Sequence, residues 1–212
     1  MDWHTTNLDK YRAEPQHLLP HYGMVATSAL ANALIERSEK EGIAINAIKL
    51  NLLMILTHGW HMAVHDIPLI REPVYAAKEL PLINTIYWYI TLKDLPADLR
   101  FNRMLLQSPL QDKSEPTGQT LPENEAFSAM NALIDTVWQT YGEDDEYQLL
   151  NMLNDKAAPC YLWKTYLNFQ TQYHDPTNAP VIPNQLLRDW CLSLSKPEQP
   201  SASILKLKAK EN

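Results

Sequence analysis

The sequence is poor in glycine and cysteine and has no long apolar run. Only 5 of its 212 residues are glycine, against 15 prolines. This balance disfavours turn-rich β-sandwiches and phosphate-binding glycine loops, and favours helices separated by stiff connections. The two cysteines, Cys160 and Cys191, are too few for a zinc knuckle or a disulfide scaffold and suit a reducing compartment. The most apolar run, LNLLMIL at 50–56, is far shorter than the ~20 residues of a membrane span. We therefore expect a cytoplasmic protein with no membrane association.

Positive charge and catalytic motifs are also scarce. The formal net charge of -7 is the opposite of the positive field that a non-specific nucleic-acid binder needs, and it would suit a basic protein partner. The sequence has no G-x-S-x-G motif, no G-x-G-x-x-G motif and no Walker loop. It also has no helix-turn-helix with a basic recognition helix. These features predict no catalytic residues, no cofactor and no direct contact with nucleic acid.

Hydrophobic periodicity predicts a mainly α fold, a compact multi-helix single domain over residues 24–195. The expected helices cover residues 24–40, 46–64, 83–90, 122–142, 143–153, 159–169 and 184–194. The long helix after Asn46, which is placed as its N-cap, is apolar around most of its circumference and should be the central one. Residues 66–82 contain three prolines and suit a connection with room for a brief strand.

Three segments are expected to lie outside the regular helical structure. Residues 1–23 mix prolines with aromatics and are typical of an irregular arm. Residues 107–122 are polar and contain prolines, which predicts a mobile loop. Residues 196–212 are expected to form a disordered tail.

Three histidines share one stripe of the long helix. His58, His61 and His65 follow the three- and four-residue spacing that places side chains on one helical face. A zincin helix, H-E-x-x-H, needs a glutamate to activate water, but residues 62–64 are Met, Ala and Val. A closed zinc site would also need further ligands. We interpret the stripe as polar or partner-facing, with no metal; a metal-dependent hydrolase built on these histidines is the alternative.

Lys49 is the unusual charge of this helix. A cation in the first turn opposes the helix dipole by a few tenths of a kcal/mol. One interpretation is that its stem packs while the ammonium group reaches water. The other is that the ammonium group binds a specific carboxylate or carbonyl.

The segment IKLNLLMILTHGWHMAVHDIPLIREPVYAAKELPL, residues 48–82, resembles the core of the Panacea domain of bacteria and phages. That family has a leucine-rich helix with a lysine-leucine pair, running into a Gly-Trp-His-like segment and then a Pro-Leu stretch. The matching positions here are Lys49, Leu50, Leu53, Gly59, Trp60, His61, Ala63, Pro68, Leu69 and Pro81. Weaker likeness extends the resemblance over about residues 24–165.

The sequence also departs from the family pattern. The Tyr-Gly-Pro-Val-like turn is reduced to its proline at 79–82, and Ala77 stands in place of the preceding aromatic residue. The Thr-His-like end of the later helix is replaced by Leu153 and Asn154. The Pro-Trp pair is separated into Pro159 and Trp163.

The resemblance implies a protein-binding antitoxin that neutralises a cognate toxin, encoded beside it, by direct contact. The alternative, motivated by the altered turn at 79–82, is a phage or mobile-element accessory protein that binds a host protein. Large amphipathic rings often anchor interfaces, which adds the aromatics of the 83–90 helix to the candidates. The expected partner contacts are Lys49, Trp60, His61, Glu79, Pro81, Tyr87 and Trp88. Self-association is left open.

Overall fold

A computed structural model describes residues 8–11, 25–77, 80–86, 125–167 and 179–194. The elements are a 3₁₀ turn (Leu8–Tyr11), α1 (Thr27–Glu41), α2 (Ala47–His65), β1 (Val74–Ala76), β2 (Pro81–Ile83), α3 (Glu125–Tyr141), α4 (Glu146–Leu153), α5 (Pro159–Tyr166) and α6 (Asn184–Leu194). The fold is mainly α, as predicted. The predicted loop at 107–122 and the predicted tail at 196–212 lie outside the described residues. Of the helix expected at 83–90, Ile83 is instead the last residue of β2 and residues 84–86 are helical; residues 87–90 lie outside the described residues.

The central position of α2 is confirmed. Its N-cap is Asn46, whose side chain accepts a hydrogen bond from the backbone N–H of Lys49 at 2.8 Å. Every residue from Lys49 to Val64 is buried, because α1, α3, α4, α6 and β2 all pack around this helix. The helix ends at Asp66, which has the left-handed φ of 59°.

The other helix ends follow local sequence signals. Gly42 terminates α1 with a φ of 69°, and its N–H donates to the carbonyl of Ser38. Gly142 follows the end of α3, as expected. Asp145 and Gln148 form a capping box at the start of α4, which satisfies backbone donors that a helix leaves free. The prediction for α5 was too long, since the helix ends at Tyr166.

The connection at 66–82, which was expected to have room for one brief strand, contains the strands β1 and β2. β1 and β2 are antiparallel, with Val74 opposite Ile83 and Ala76 opposite Pro81. The other edge of β1 is bonded to the segment before α6: Ala76 N–H donates to Pro180 O and Ile182 N–H donates to Val74 O, both at 2.8 Å. The sheet therefore ties the chain after α2 to the chain before α6.

Part of the predicted irregular arm is packed against the domain. Tyr11 is fully buried in the main hydrophobic core, and its hydroxyl donates to Asp189 of α6 at 2.8 Å. Lys10 pairs with the same carboxylate at 3.1 Å. In the ranges that the structure describes, no helix combines the length and apolarity needed to cross a membrane.

Candidate functional site

The described partner-contact candidates are buried. Lys49, Trp60 and His61 are at most 4 % exposed, and Pro81 is buried in β2. Glu79, Tyr87 and Trp88 lie outside the described residues. In the isolated chain the four described side chains support the fold, so a partner could reach them only if the fold opened. Their role in partner contact stays a prediction.

Lys49 binds a specific carbonyl. Its ammonium group donates to the backbone carbonyl of Gly142 at 2.6 Å, in a buried setting. Burial lowers the pKa of Lys49, while the negative charges of Asp144, Glu146 and Asp145 oppose that shift. Of the two interpretations offered by the sequence, the specific partner is correct and the solvent-exposed ammonium group is wrong. Lys49 thus fixes the α3–α4 connection onto the start of α2.

Asn51 closes the free edge of β2. Its side-chain NH₂ donates to Pro81 O at 2.8 Å, and its side-chain oxygen accepts from Ile83 N–H at 3.0 Å. The amide makes the pair of bonds that a neighbouring strand would make. A buried asparagine in an apolar helix needs hydrogen-bond partners. The presence of Asn51 in the apolar helix was therefore the signal in the sequence for a structural hydrogen bond.

His58 holds the chain that follows α2. Its Nδ1 accepts from the backbone N–H groups of Leu69 and Ile70, at 3.2 and 3.3 Å. The ring proton is therefore on Nε2, which donates to the side-chain oxygen of Asn184 at 3.2 Å. Complete burial lowers the pKa of His58 to about 4, so the imidazole is neutral near pH 7.

His61, one turn later on α2, also binds the connection that follows the helix. Its Nδ1–H donates to the carbonyl of Ile67 at 2.7 Å, and burial lowers its pKa to about 4. Of the two interpretations of the stripe, the polar one describes His58 and His61 in the isolated chain, because both are buried and bind the connection at 66–70. His65 is half-buried, with its ring centroid 4.6 Å from that of His61. Among the described residues, no three His, Cys, Asp or Glu side chains are grouped as a metal site.

Trp60 and the cysteines also belong to the interior. The indole N–H of Trp60 donates to the hydroxyl of Tyr141 at 3.3 Å. Burial raises the pKa of Cys160 to about 11 and that of Cys191 still further, so both thiols stay protonated and poorly nucleophilic. These are packing residues.

One end of the molecule is acidic and exposed. The indole of Trp138 packs on Gly142 and donates to the carboxylate of Glu41 at 2.8 Å. Together with the bond from Lys49 to Gly142, this brings the α1–α2 and α3–α4 connections side by side. We call this region the acidic end; its carboxylates are Glu39, Glu41, Glu143, Asp144, Asp145 and Glu146. On the described residues of these two connections and the helix turns that adjoin them, the cations are the exposed Lys40 and the buried Lys49.

A cavity opens at the α1–α2 connection, where Glu39 is the carboxylate in its lining. It has a volume of about 270 Å³ and is lined by Ile35, Ser38, Glu39 and residues 42–45. The sequence predicted an acidic surface suited to a basic partner but did not locate it, because the separate acidic stretches are brought together only by tertiary contacts. The net charge of -7 was the available signal.

Comparison of the chain with models of protein families, with characterised proteins and with solved structures finds no match.

Proposed function

We propose that the protein is a protein-binding module of the antitoxin type, which neutralises a cognate toxin by direct contact. The observation that carries the proposal is the resemblance of residues 48–82 to the Panacea core. In this structure the same segment forms the scaffold: α2, the connection after it and the β1–β2 hairpin. A family pattern made of scaffold residues suits a fold that presents different surfaces to different partners.

The contacts of three buried reactive side chains disfavour a catalytic role for each of them. His58 uses both ring nitrogens to hold the connection at 66–70 and the start of α6. Lys49 donates to a backbone carbonyl, and Cys160 is a protonated thiol at neutral pH. A general base or nucleophile must instead reach a substrate. For these three side chains, the geometry favours a structural role.

The proposal places the protein in the cytoplasm of a bacterium or of a phage-infected cell, with the toxin encoded by an adjacent gene. The test is to express the adjacent gene alone and together with this chain, and to mix the purified proteins. We expect growth arrest by the adjacent product alone, relief on co-expression, and a stoichiometric complex by size-exclusion chromatography with light scattering.

Two other results would change the conclusion. A neighbour that is not toxic, together with a stable complex between this chain and a host protein, would favour the accessory-protein alternative. If the neighbour neither arrests growth nor binds, the antitoxin proposal is wrong.

A further inference from the structure

We propose that the acidic end is the docking surface, and that the partner places there a short segment in which an apolar side chain is flanked by lysine or arginine. The identity of the partner as a toxin rests on the proposed function. The surface and the chemistry of its occupant are argued from the geometry alone.

The cavity supplies the apolar part of this surface. It lies at the α1–α2 turn, where Ile35 and Ile45 are buried and Ile43 is half-exposed at the rim. A Cβ built on Gly42 would meet nothing within 4 Å, so the turn is open to solvent. A cavity of about 270 Å³ suits a small apolar anchor such as a leucine or isoleucine side chain, because such pockets commonly receive the anchoring residues of an interface.

The carboxylates supply the charge complementarity. Glu39 lines the cavity itself, while Glu143 and Asp145 are exposed on the adjacent connection. Burial is the first cause of the raised pKa of Asp144; the positive charge of Lys49 opposes the shift, and the negative charges of Asp145 and Glu143 add to it. These groups repel one another in the isolated chain. A cationic segment would relieve that repulsion and steer the encounter.

An exposed aromatic residue adjoins the same charges. Tyr147 follows Glu143–Glu146 directly and is 70 % exposed, the highest exposure among the large hydrophobic side chains of the described residues. Tyrosine is enriched among residues that dominate binding energy, and its ring can also stack on arginine or lysine. With the cavity and the exposed Glu39, Glu143 and Asp145, it gives the acidic end an apolar, a charged and an aromatic component.

The first test uses a defined probe. The synthetic peptide KKILKK, blocked at both ends, is titrated into the ¹⁵N-labelled full chain, with EEILEE and KKNSKK as controls for charge and for the apolar anchor. We expect amide shifts at residues 42–45 and 143–147 with KKILKK. The shifts should be weakened by about 0.5 M NaCl, which shortens the Debye length to about half its physiological value. Binding elsewhere on the molecule, or equal binding of either control peptide, would overturn the proposal.

Matched variants then separate local charge from net charge. Glu39→Gln with Glu143→Gln raises the net charge by two, as does Ser128→Lys with Ala132→Lys. Residues 128 and 132 are exposed, and Ser128 is roughly 20 Å along α3 from Tyr141. We expect the first pair to weaken KKILKK binding roughly three- to tenfold and the second pair to have little effect. Tyr147→Ala, which removes an exposed side chain, should also weaken binding while the melting temperature is unchanged.

The same variants distinguish this inference from the proposed function. If the neighbouring gene product does not bind but KKILKK shifts the named residues, the surface stands and the antitoxin proposal fails. If the toxin complex forms and tolerates the Gln pair and Tyr147→Ala, and KKILKK does not bind, the docking surface is wrong and the antitoxin proposal stands.

Discussion

Replacing Gly59 by alanine should destabilise the protein, although alanine is the better helix former. A Cβ at this position would lie 2.7 Å from Sγ of Cys191, about 1 Å inside ordinary contact distance. Cys191 is completely buried in α6. Overpacking of a core costs roughly 1–3 kcal/mol, whereas glycine to alanine inside a helix gains at most about 1 kcal/mol. We therefore expect Gly59→Ala to lower the free energy of unfolding by up to about 2 kcal/mol.

The effect of Gly59→Ala on the free energy of unfolding should change sign when the sulfur atom of Cys191 is removed. In a Cys191→Ala background, the nearest atoms to the new Cβ are the carbonyl oxygen and Cβ of Leu187, at 3.7 and 4.0 Å. Both distances are ordinary contacts, so only the helix-propensity gain remains. Gly59→Ala should then raise the free energy of unfolding by about 1 kcal/mol. The coupling between the two sites should be about 1–3 kcal/mol.

Urea unfolding of the wild type, both single variants and the double variant measures this coupling. Gly42→Ala provides the control. Its φ of 69° makes alanine unfavourable by about 1 kcal/mol, but its Cβ would meet nothing within 4 Å, so it should be additive with Cys191→Ala. A coupling between residues 59 and 191 below about 0.5 kcal/mol would refute the close approach of α2 and α6 as the reason for the glycine.

Three other perturbations test the buried polar groups. Lys49→Met should lower the free energy of unfolding by about 1–3 kcal/mol, because the buried carbonyl of Gly142 loses its donor; urea unfolding that shows no loss would contradict the bond. Stability should also decrease as the pH falls from 6.5 to about 4, because the pKa values of His58 and His61 are lowered in the folded state and the unfolded chain binds more protons in that window. Each imidazole changes the free energy of unfolding by up to about 1.4 kcal/mol per pH unit. The urea midpoint should therefore be lower at pH 5.5 than at pH 7. A midpoint that does not change with pH would be evidence against neutral buried rings. Cys160 should resist Ellman's reagent at pH 8 until urea unfolds the chain, since burial raises its pKa to about 11; rapid reaction of the folded protein would contradict its burial.

The helices were predictable because their signals are local. Asn46 caps α2, and Gly42 and Gly142 follow the ends of α1 and α3, each within a turn of the helix that it delimits. The apolar circumference of α2 likewise predicted its central position, because a helix that is hydrophobic on all sides must be surrounded. These properties depend on neighbouring residues, so one sequence is sufficient to recognise them.

The roles of the polar residues were not predictable, because their partners are distant in the chain. Lys49 and Gly142 are 93 residues apart, and Asn51 and Ile83 are 32 apart. The spacing of His58 and His61 does not by itself distinguish a metal site from hydrogen bonds to a following segment. Only the fold shows that backbone groups at 67–70 are hydrogen-bonded to these rings. The acidic end was missed for the same reason, since two separate connections form it.

The buried polar residues of α2 divide the molecule into a fixed part and a variable part. A buried polar group is costly unless it is hydrogen-bonded, so Lys49, Asn51 and His58 each require one particular path of the chain that they contact. Apart from the side chain of Asn184, which accepts from His58, their partners are backbone atoms of the α3–α4 connection, of β2 and of the segment after α2. A bond to a backbone atom places no demand on the side chain that the same residue exposes. Glu39 and Glu143 can therefore change without disturbing α2. If the protein recognises a partner through its connections, specificity can be altered there while the scaffold that holds them remains the same.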